Sequence, residues 1–291
     1  MSGRLIDLHT HTVYSDGSAT PEEVVAMAAS NGAAAVAITD HDTVSGLSRG
    51  RAAAARAGVE FISGIEISAE YGPGTMHILG YQIDDESEGL RSRLVELKQA
   101  RDDRNPEIAR RLEALGFDIN YEEVAGLAGN EMVGRPHFAR LLVERGYARS
   151  IQDAFDRFLA KGGAAYVEKK RLSPEAAIAL IHEAGGAAVL AHPYQLKLPE
   201  IEDVDRLIGT LAGMGLDGIE AVYSRHSQDE RRLYSQMAAR RGLLVTGGSD
   251  YHGTYKPDIE MVKGLGDLAV PYELLGELKA RAAGRASSLA G

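Results

Sequence analysis

The chain of 291 residues contains no cysteine and no tryptophan. Without cysteine it can form no disulfide, no thiolate metal site and no cysteine nucleophile. Only 6% of its residues are aromatic, and 42 acidic residues outnumber 32 basic ones, for a formal net charge of −10. Such a surface is poorly suited to gripping long nucleic acid, which needs basic stripes and stacking rings. No apolar run approaches the ~20 residues that span a bilayer, and the N-terminus lacks a basic region followed by an apolar stretch. A cytoplasmic protein with no membrane contact and no obligate protein partner is therefore expected. With 44% hydrophobic and 25% charged residues, the chain reads as globular rather than disordered.

Seven apolar runs read as strands: LIDLHT at 5–10, AVAIT at 35–39, EFISGIEIS at 60–68, MHILGYQI at 76–83, AAVLAH at 187–192, GIEAVY at 218–223 and LLVTGGS near 243–249. Helical patterns lie between many of them. Thr20-Pro21-Glu22-Glu23 has the form of a capping box, and Ser173-Pro174 opens another helix that Gly185-Gly186 ends. Gly72-Pro73-Gly74 predicts a tight turn between neighbouring strands. Alternating β and α elements predict a mostly parallel sheet, here an α/β fold of the distorted (β/α)7-barrel type. From 86 to 171 only helical periodicity is present. It predicts a helical insertion subdomain between two halves of a barrel, 1–85 and 172–291. The last residues, RAAGRASSLAG, are expected to fray.

The stretch LIDLHTHTVYSDG places His9 and His11 two apart at the end of a strand, so they share a face, with Asp16 close behind. Two imidazoles and a carboxylate together favour a divalent cation. The same signature recurs along the chain. His41 follows AVAITD, Glu66 lies within GIEIS, and His77 opens HILGY. His192 closes AAVLAH, and Asp250 and His252 follow LLVTGGS. All nine except Asp16 lie in or just after a strand, and strand ends of a parallel barrel share one face. Six of nine histidines at such positions predict a site for more than one ion, with nitrogen and oxygen ligands suited to Mn2+, Zn2+ or Fe2+.

The motifs DLHTHTVYSDG, ITDHD, GIEIS, HILGY, LAHP and GGSDYHG resemble those of the PHP (polymerase and histidinol phosphatase) family, within the amidohydrolase-like proteins. The resemblance implies a trinuclear centre, with Mn2+ as the first choice of ion, and phosphoesterase chemistry. It carries the ligand roles to His9, His11, Asp16, His41, Glu66, His77, His192, Asp250 and His252, with no departure at any of them. GRPHFARLLVERG followed by AFDRFLAKGGAAYV resembles the TrpH-like branch. That branch implies a small nucleotide substrate: the 3′-phosphate of a nucleoside 3′,5′-bisphosphate, or alternatively short 5′-phosphorylated RNA cut from its 5′ end. A non-catalytic metal-binding domain is the reading opposed by the complete ligand set. Attack in line by an activated water is expected, with no protein nucleophile.

Substrate contacts are expected from Arg135 and His137, which open a helix and suit phosphate recognition. Arg225 and His226, after the strand GIEAVY, and Lys170, in a basic run, are further candidates. His182, inside a helix, is expected to be structural.

Overall fold

The computed structural model describes residues 4–128, 133–168 and 170–289. The seven expected strands are all present: β1 (Leu5–Asp7), β2 (Ala33–Ile38), β3 (Glu60–Ala69), β4 (Met76–Tyr81), β5 (Ala187–Leu190), β6 (Gly218–Tyr223) and β7 (Leu244–Gly248). They form one sheet in sequence order. The helices in chain order are α1 (Pro21–Ser30), α2 (Leu47–Ala57), α3 (Glu88–Ala114), α4 (Tyr121–Ala128) and α5 (Arg135–Glu144). They continue as α6 (Ile151–Ala154), α7 (Pro174–Glu183), α8 (Ile201–Gly213), α9 (Gln228–Ala239) and α10 (Glu273–Leu289).

Strands β1, β2 and β3 pair in parallel, as do β5, β6 and β7. Strand β4 runs antiparallel to both of its neighbours. The sheet curls almost shut: Leu8 N–H donates to Gly247 O at 3.2 Å and Asp250 N–H to His9 O at 2.8 Å. The Asp7 carboxylate reinforces the seam by accepting Ser249 N–H and Val262 N–H, each at 2.8 Å. Gly248 is required there, because a Cβ would lie 2.4 Å from His9 Cβ. Ile6 and Leu8 alternate with Asp7 and His9, and enter an apolar cluster with Ile62, Leu79, Val189 and Leu275.

Local signals set the helix starts. Thr20 accepts Glu23 N–H at 3.3 Å and Glu23 Oε2 accepts Thr20 N–H at 2.7 Å, closing the capping box of α1. Ser173 Oγ caps α7 through Ala176 N–H at 3.1 Å.

Two compact units divide the chain. The first comprises Met1–Ser92 with Arg171–Gly291 and contains the sheet; the second is Arg93–Lys170. The second has a core of its own, built from Ile108, Leu112, Phe138, Leu142, Phe158 and Leu159. Helix α6 in it continues into a π-helical turn at Phe155–Leu159. Among the described residues no helix is long and apolar enough to cross a membrane.

Of the tail expected to fray, residues 281–289 are helical, and 290 and 291 lie outside the described residues. Helix α10 runs on to Leu289. Its alanine-rich sequence favours helix, and Arg281 and Arg285 anchor it to Asp217 Oδ1 at 3.2 and 2.5 Å. The other oxygen of Asp217 accepts Ala188 N–H of β5 at 2.9 Å and lies 2.9 Å from His182 Nε2, which gives His182 its structural place. Burial opposes the charge of Asp217, but the hydrogen bonds from His182 and Ala188 and the nearby Arg285 outweigh it and hold the carboxyl below its ordinary value. Asp217→Asn should destabilise the protein by about 3 kcal/mol at neutral pH. The contribution of a depressed carboxyl is complete above its unfolded pKa of about 4 and fades as acid titrates the folded group. Denaturant melts at pH 7 and below pH 4 check this: the gap between parent and variant should narrow in acid.

Candidate metal centre

His9 and His11 project from the end of β1 and are fully buried. The following loop is folded back by Asp40. Its carboxylate accepts Thr12 N–H at 2.7 Å, Thr12 Oγ–H at 2.6 Å and Ser15 Oγ–H at 2.6 Å. This brings Asp16 to 3.3 Å from His252 Nε2, 3.5 Å from His11 Nδ1 and 3.7 Å from His41 Nε2. His41 lies just beyond β2 and Glu66 within β3, where the two bridge in parallel. His77 opens β4. Because β4 is reversed, its start lies beside the ends of the parallel strands, as the pairing of His77 with Ser68 shows. His192 follows β5, and Asp250 and His252 follow β7, with His192 and Asp250 at φ of 23° and 59°. Such left-handed backbone is costly for these residues and is concentrated at functional sites.

All nine expected ligands converge. They fall into four overlapping sets whose ligand atoms lie within 4.8 Å of one another: His11, Asp16, His41 and His252; His9, Glu66 and His192; His9, His11 and Asp250; His41, Glu66 and His77. Glu66 belongs to two of these sets and lies against five of the six histidines. It is only 1% exposed. Its Oε1 lies 2.8 Å from His77 Nδ1 and 2.9 Å from His192 Nε2; its Oε2 lies 3.1 Å from His11 Nε2, 3.2 Å from His41 Nδ1 and 3.3 Å from His9 Nε2.

Burial opposes ionisation of Glu66, yet His41, His77 and His9 hold its carboxyl well below the usual range. Asp16 is likewise held low against burial by His252 and His41. Burial pushes His41 the other way, down to about 3, against the pull of Glu66 and Asp16. Burial also opposes the charge of His9 and His11, but Glu220 and Glu66 beside the first and Asp250 and Glu66 beside the second raise them, His11 to about 9, so a divalent cation held by these carboxylates and imidazoles would displace protons. His192 Nδ1 is buried without a hydrogen-bond partner, an arrangement that protein groups alone leave unsatisfied. By donor chemistry and by burial the residues fit metal ions.

The model of the PHP domain matches residues 7–171. The chain belongs to the PHP domain family. Six of the nine ligand candidates fall within the matched segment; His192, Asp250 and His252 follow it in sequence. The PHP chain is 38% identical, over 85% of its length and 87% of the relative's, to a 3′,5′-nucleoside bisphosphate phosphatase from Chromobacterium violaceum. It is 36% identical, over 85% of each chain, to the 5′-3′ exoribonuclease Rnm of Salmonella typhimurium. A solved structure from Bifidobacterium adolescentis, described as a metal-dependent phosphoesterase, superposes with a TM-score of 0.83 at 32% identity over 96% of both chains. Family membership makes this chain a metal-dependent phosphoesterase.

The expected substrate residues of the PHP chain are divided between the two units. Arg135 opens α5, donates from Nη1 to Leu159 O at 3.0 Å and lies over the Tyr166 ring at 5.8 Å. His137 is buried, and its Nδ1 accepts Gly134 N–H at 3.0 Å, which ties down the start of the helix. Lys170 is exposed, 4.0 Å from Glu96; its neighbour Lys169 lies outside the described residues. These belong to the second unit. In the first unit Arg225 pairs with Asp258 at 2.7 Å on the surface. His226 is buried between Tyr223 and Tyr234, and its Nδ1–H is directed to Ala221 O at 2.9 Å. Burial lowers it to about 4, so it is neutral and not an anion-binding cation.

Sequence reasoning missed Lys256 and Tyr223. Asp250 Oδ2 receives the Lys256 ammonium at 2.7 Å and the Tyr223 hydroxyl at 2.9 Å, which leaves Oδ1 toward His9, His11 and His252 at 3.3–3.6 Å. It also missed Glu220, a glutamate within the apolar strand GIEAVY. The available signal was its likeness to Glu66 within GIEIS.

Asp16 is partly buried and reaches the cluster only through its loop. Asp16→Asn removes a charged donor and should lower turnover by at least about 100-fold with an unchanged thermal melt. Phosphatase assays paired with melting curves check this; near-parental turnover would make Asp16 an ordinary loop residue.

Proposed function

We propose that the protein hydrolyses the 3′-phosphate of nucleoside 3′,5′-bisphosphates, such as adenosine 3′,5′-bisphosphate, to the 5′-nucleotide and phosphate. The observation that carries this reading is the gathering of all nine ligand candidates into overlapping sets in a chain that resembles a phosphatase of that specificity along most of its length. The reading includes three divalent ions, Mn2+ first, with Zn2+ or Fe2+ as alternatives, and a cytoplasmic location.

His9, His11, Asp16, His41, Glu66, His77, His192, Asp250 and His252 would hold the ions. Once bound there, divalent ions supply Lewis acidity toward phosphate oxygens and lower the pKa of water toward neutrality. The chain's own part is to hold these donors in place. Asp40 fixes the Asp16 loop, Lys256 and Tyr223 orient Asp250, and the Asp7 seam fixes β1 against β7. We assign recognition of the second, non-reacting phosphate to Arg135, whose planar guanidinium suits bidentate phosphate binding.

A second reading has support of its own. The exoribonuclease from Salmonella matches the chain over the same share of its length, and a 5′-phosphorylated RNA end presents related chemistry. The net charge of −10 favours the small substrate over a long one.

Two measurements test the proposal. With Mn2+ added, kcat/KM should be higher for nucleoside 3′,5′-bisphosphates than for 5′-phosphorylated di- to pentanucleotides; the reverse order would assign the enzyme to RNA. Elemental analysis of the Mn2+-refilled chain should give more than one ion per molecule, and one or fewer would remove the multinuclear site.

Arg135→Ala should lower kcat/KM for the bisphosphate at least about tenfold, while p-nitrophenyl phosphate is hydrolysed as before. Equal losses on both substrates would place Arg135 at the reacting phosphoryl group. No loss on either would remove it from substrate binding.

A further inference from the structure

Glu220 has no place in the ligand set, yet it is 0% exposed on β6. One of its oxygens, Oε1, lies 2.8 Å from His9 Nδ1, at the end of β1. The other, Oε2, accepts the backbone N–H of His192, after β5, at 2.8 Å. Among the described residues no Lys or Arg pairs with it. A carboxylate taken fully out of water is costly unless its charge is compensated, and two hydrogen bonds are modest compensation. The compensation becomes complete if His9 carries a cation on its far nitrogen.

His9 Nε2 faces that way. It lies 3.3 Å from Glu66 Oε2 and 3.6 Å from Asp250 Oδ1, among the donors that would hold an ion. A carboxylate accepting from Nδ1–H fixes the imidazole in the tautomer whose Nε2 lone pair is available, and makes that nitrogen a better donor. The second bond of Glu220 acts on His192, whose backbone sits at φ 23° and ψ 70°. That conformation is unfavourable for a side chain with a Cβ and has to be held by its surroundings.

We infer that Glu220 is a positioning residue of the metal centre, one buried carboxylate that sets both the tautomer of His9 and the backbone of His192. The inference rests on the reading that the nine residues bind metal. It adds that two of them, after β1 and after β5, depend on a single glutamate outside the ligand set.

The test is the metal affinity of Glu220→Gln. Glutamine keeps the volume but loses the charge, and its amide offers donors where one of the two acceptors is needed. Apo parent and variant are titrated with Mn2+ against a competing chelator. Thr246→Val serves as control, because Thr246 pairs in register with Glu220 and is equally buried. Glu220→Gln should weaken Mn2+ binding about 10–100-fold, whereas Thr246→Val should bind as the parent does. A purely structural role would lower the melting temperature of apo Glu220→Gln and leave its Mn2+ affinity at the parental value, and that result overturns the inference.

A second measurement needs no variant at position 220. In the Zn2+-loaded parent with 15N-labelled histidine, His9, assigned by the signal lost in His9→Gln, should carry its proton on Nδ1 and be ligated through Nε2. Ligation through Nδ1 overturns the inference even if Glu220→Gln fails to fold. A parent that takes up neither Mn2+ nor Zn2+ defeats the metal reading itself, an outcome distinct from a parent that binds and a Glu220→Gln that binds equally.

Discussion

Five imidazoles approach one carboxylate. His9, His11, His41, His77 and His192 all lie within 2.8–3.3 Å of Glu66, and Glu66 is buried. Five imidazolium ions could not be packed around one anion, and five neutral rings leave lone pairs crowded together without partners. Cations resolve the conflict: they satisfy the ring nitrogens and the carboxylates at once. The polar groups further out are arranged to hold this cluster. Asp40, Lys256, Tyr223 and Glu220 each bind a ligand or the loop that carries one, so charge is paired with hydrogen bonds in two layers.

The distortion of the barrel serves the same constraint. In an all-parallel barrel the site is built from the carboxyl ends of strands. Here β3 is long enough to place Glu66 part-way along it, and the reversed β4 presents its amino end instead, so that His77 can face Glu66. The tight approach of Gly248 to His9 then brings β7, with Asp250 and His252, against β1. The inversion of one strand and the absence of one side chain are thus enough to bring donors from six strands to one place.

Much of this was legible in the sequence, because candidate metal ligands at strand ends break the apolar pattern conspicuously. His9 and His11 were placed by alternation alone, and His192, Asp250 and His252 by their position after apolar runs. Asp16 was harder, since only the Asp40 hydrogen bonds, invisible in sequence, fold its loop back. Glu220 carried the same Gly-Ile-Glu signature as Glu66, but a lone glutamate without a neighbouring histidine gives no reason to prefer a site over a surface. Arg225 and His226 follow a strand as the ligands do, and yet one pairs with Asp258 on the surface and the other packs between tyrosines. Position after a strand fixes the end of the barrel, whereas the side chain's partners fix the role. The tail after residue 280 was misjudged for a related reason: its anchor, Asp217, lies more than sixty residues away in sequence.

The central claim is that Glu66 is the shared anion of a multinuclear centre. Diffraction from crystals of the Mn2+-loaded protein, recorded at the manganese absorption edge, tests it most directly. The account predicts more than one anomalous peak among the nine residues, with Glu66 coordinating ions on both of its oxygens. A single peak remote from Glu66, or a Glu66 that bonds only to protonated histidines while the ions lie elsewhere, would contradict it.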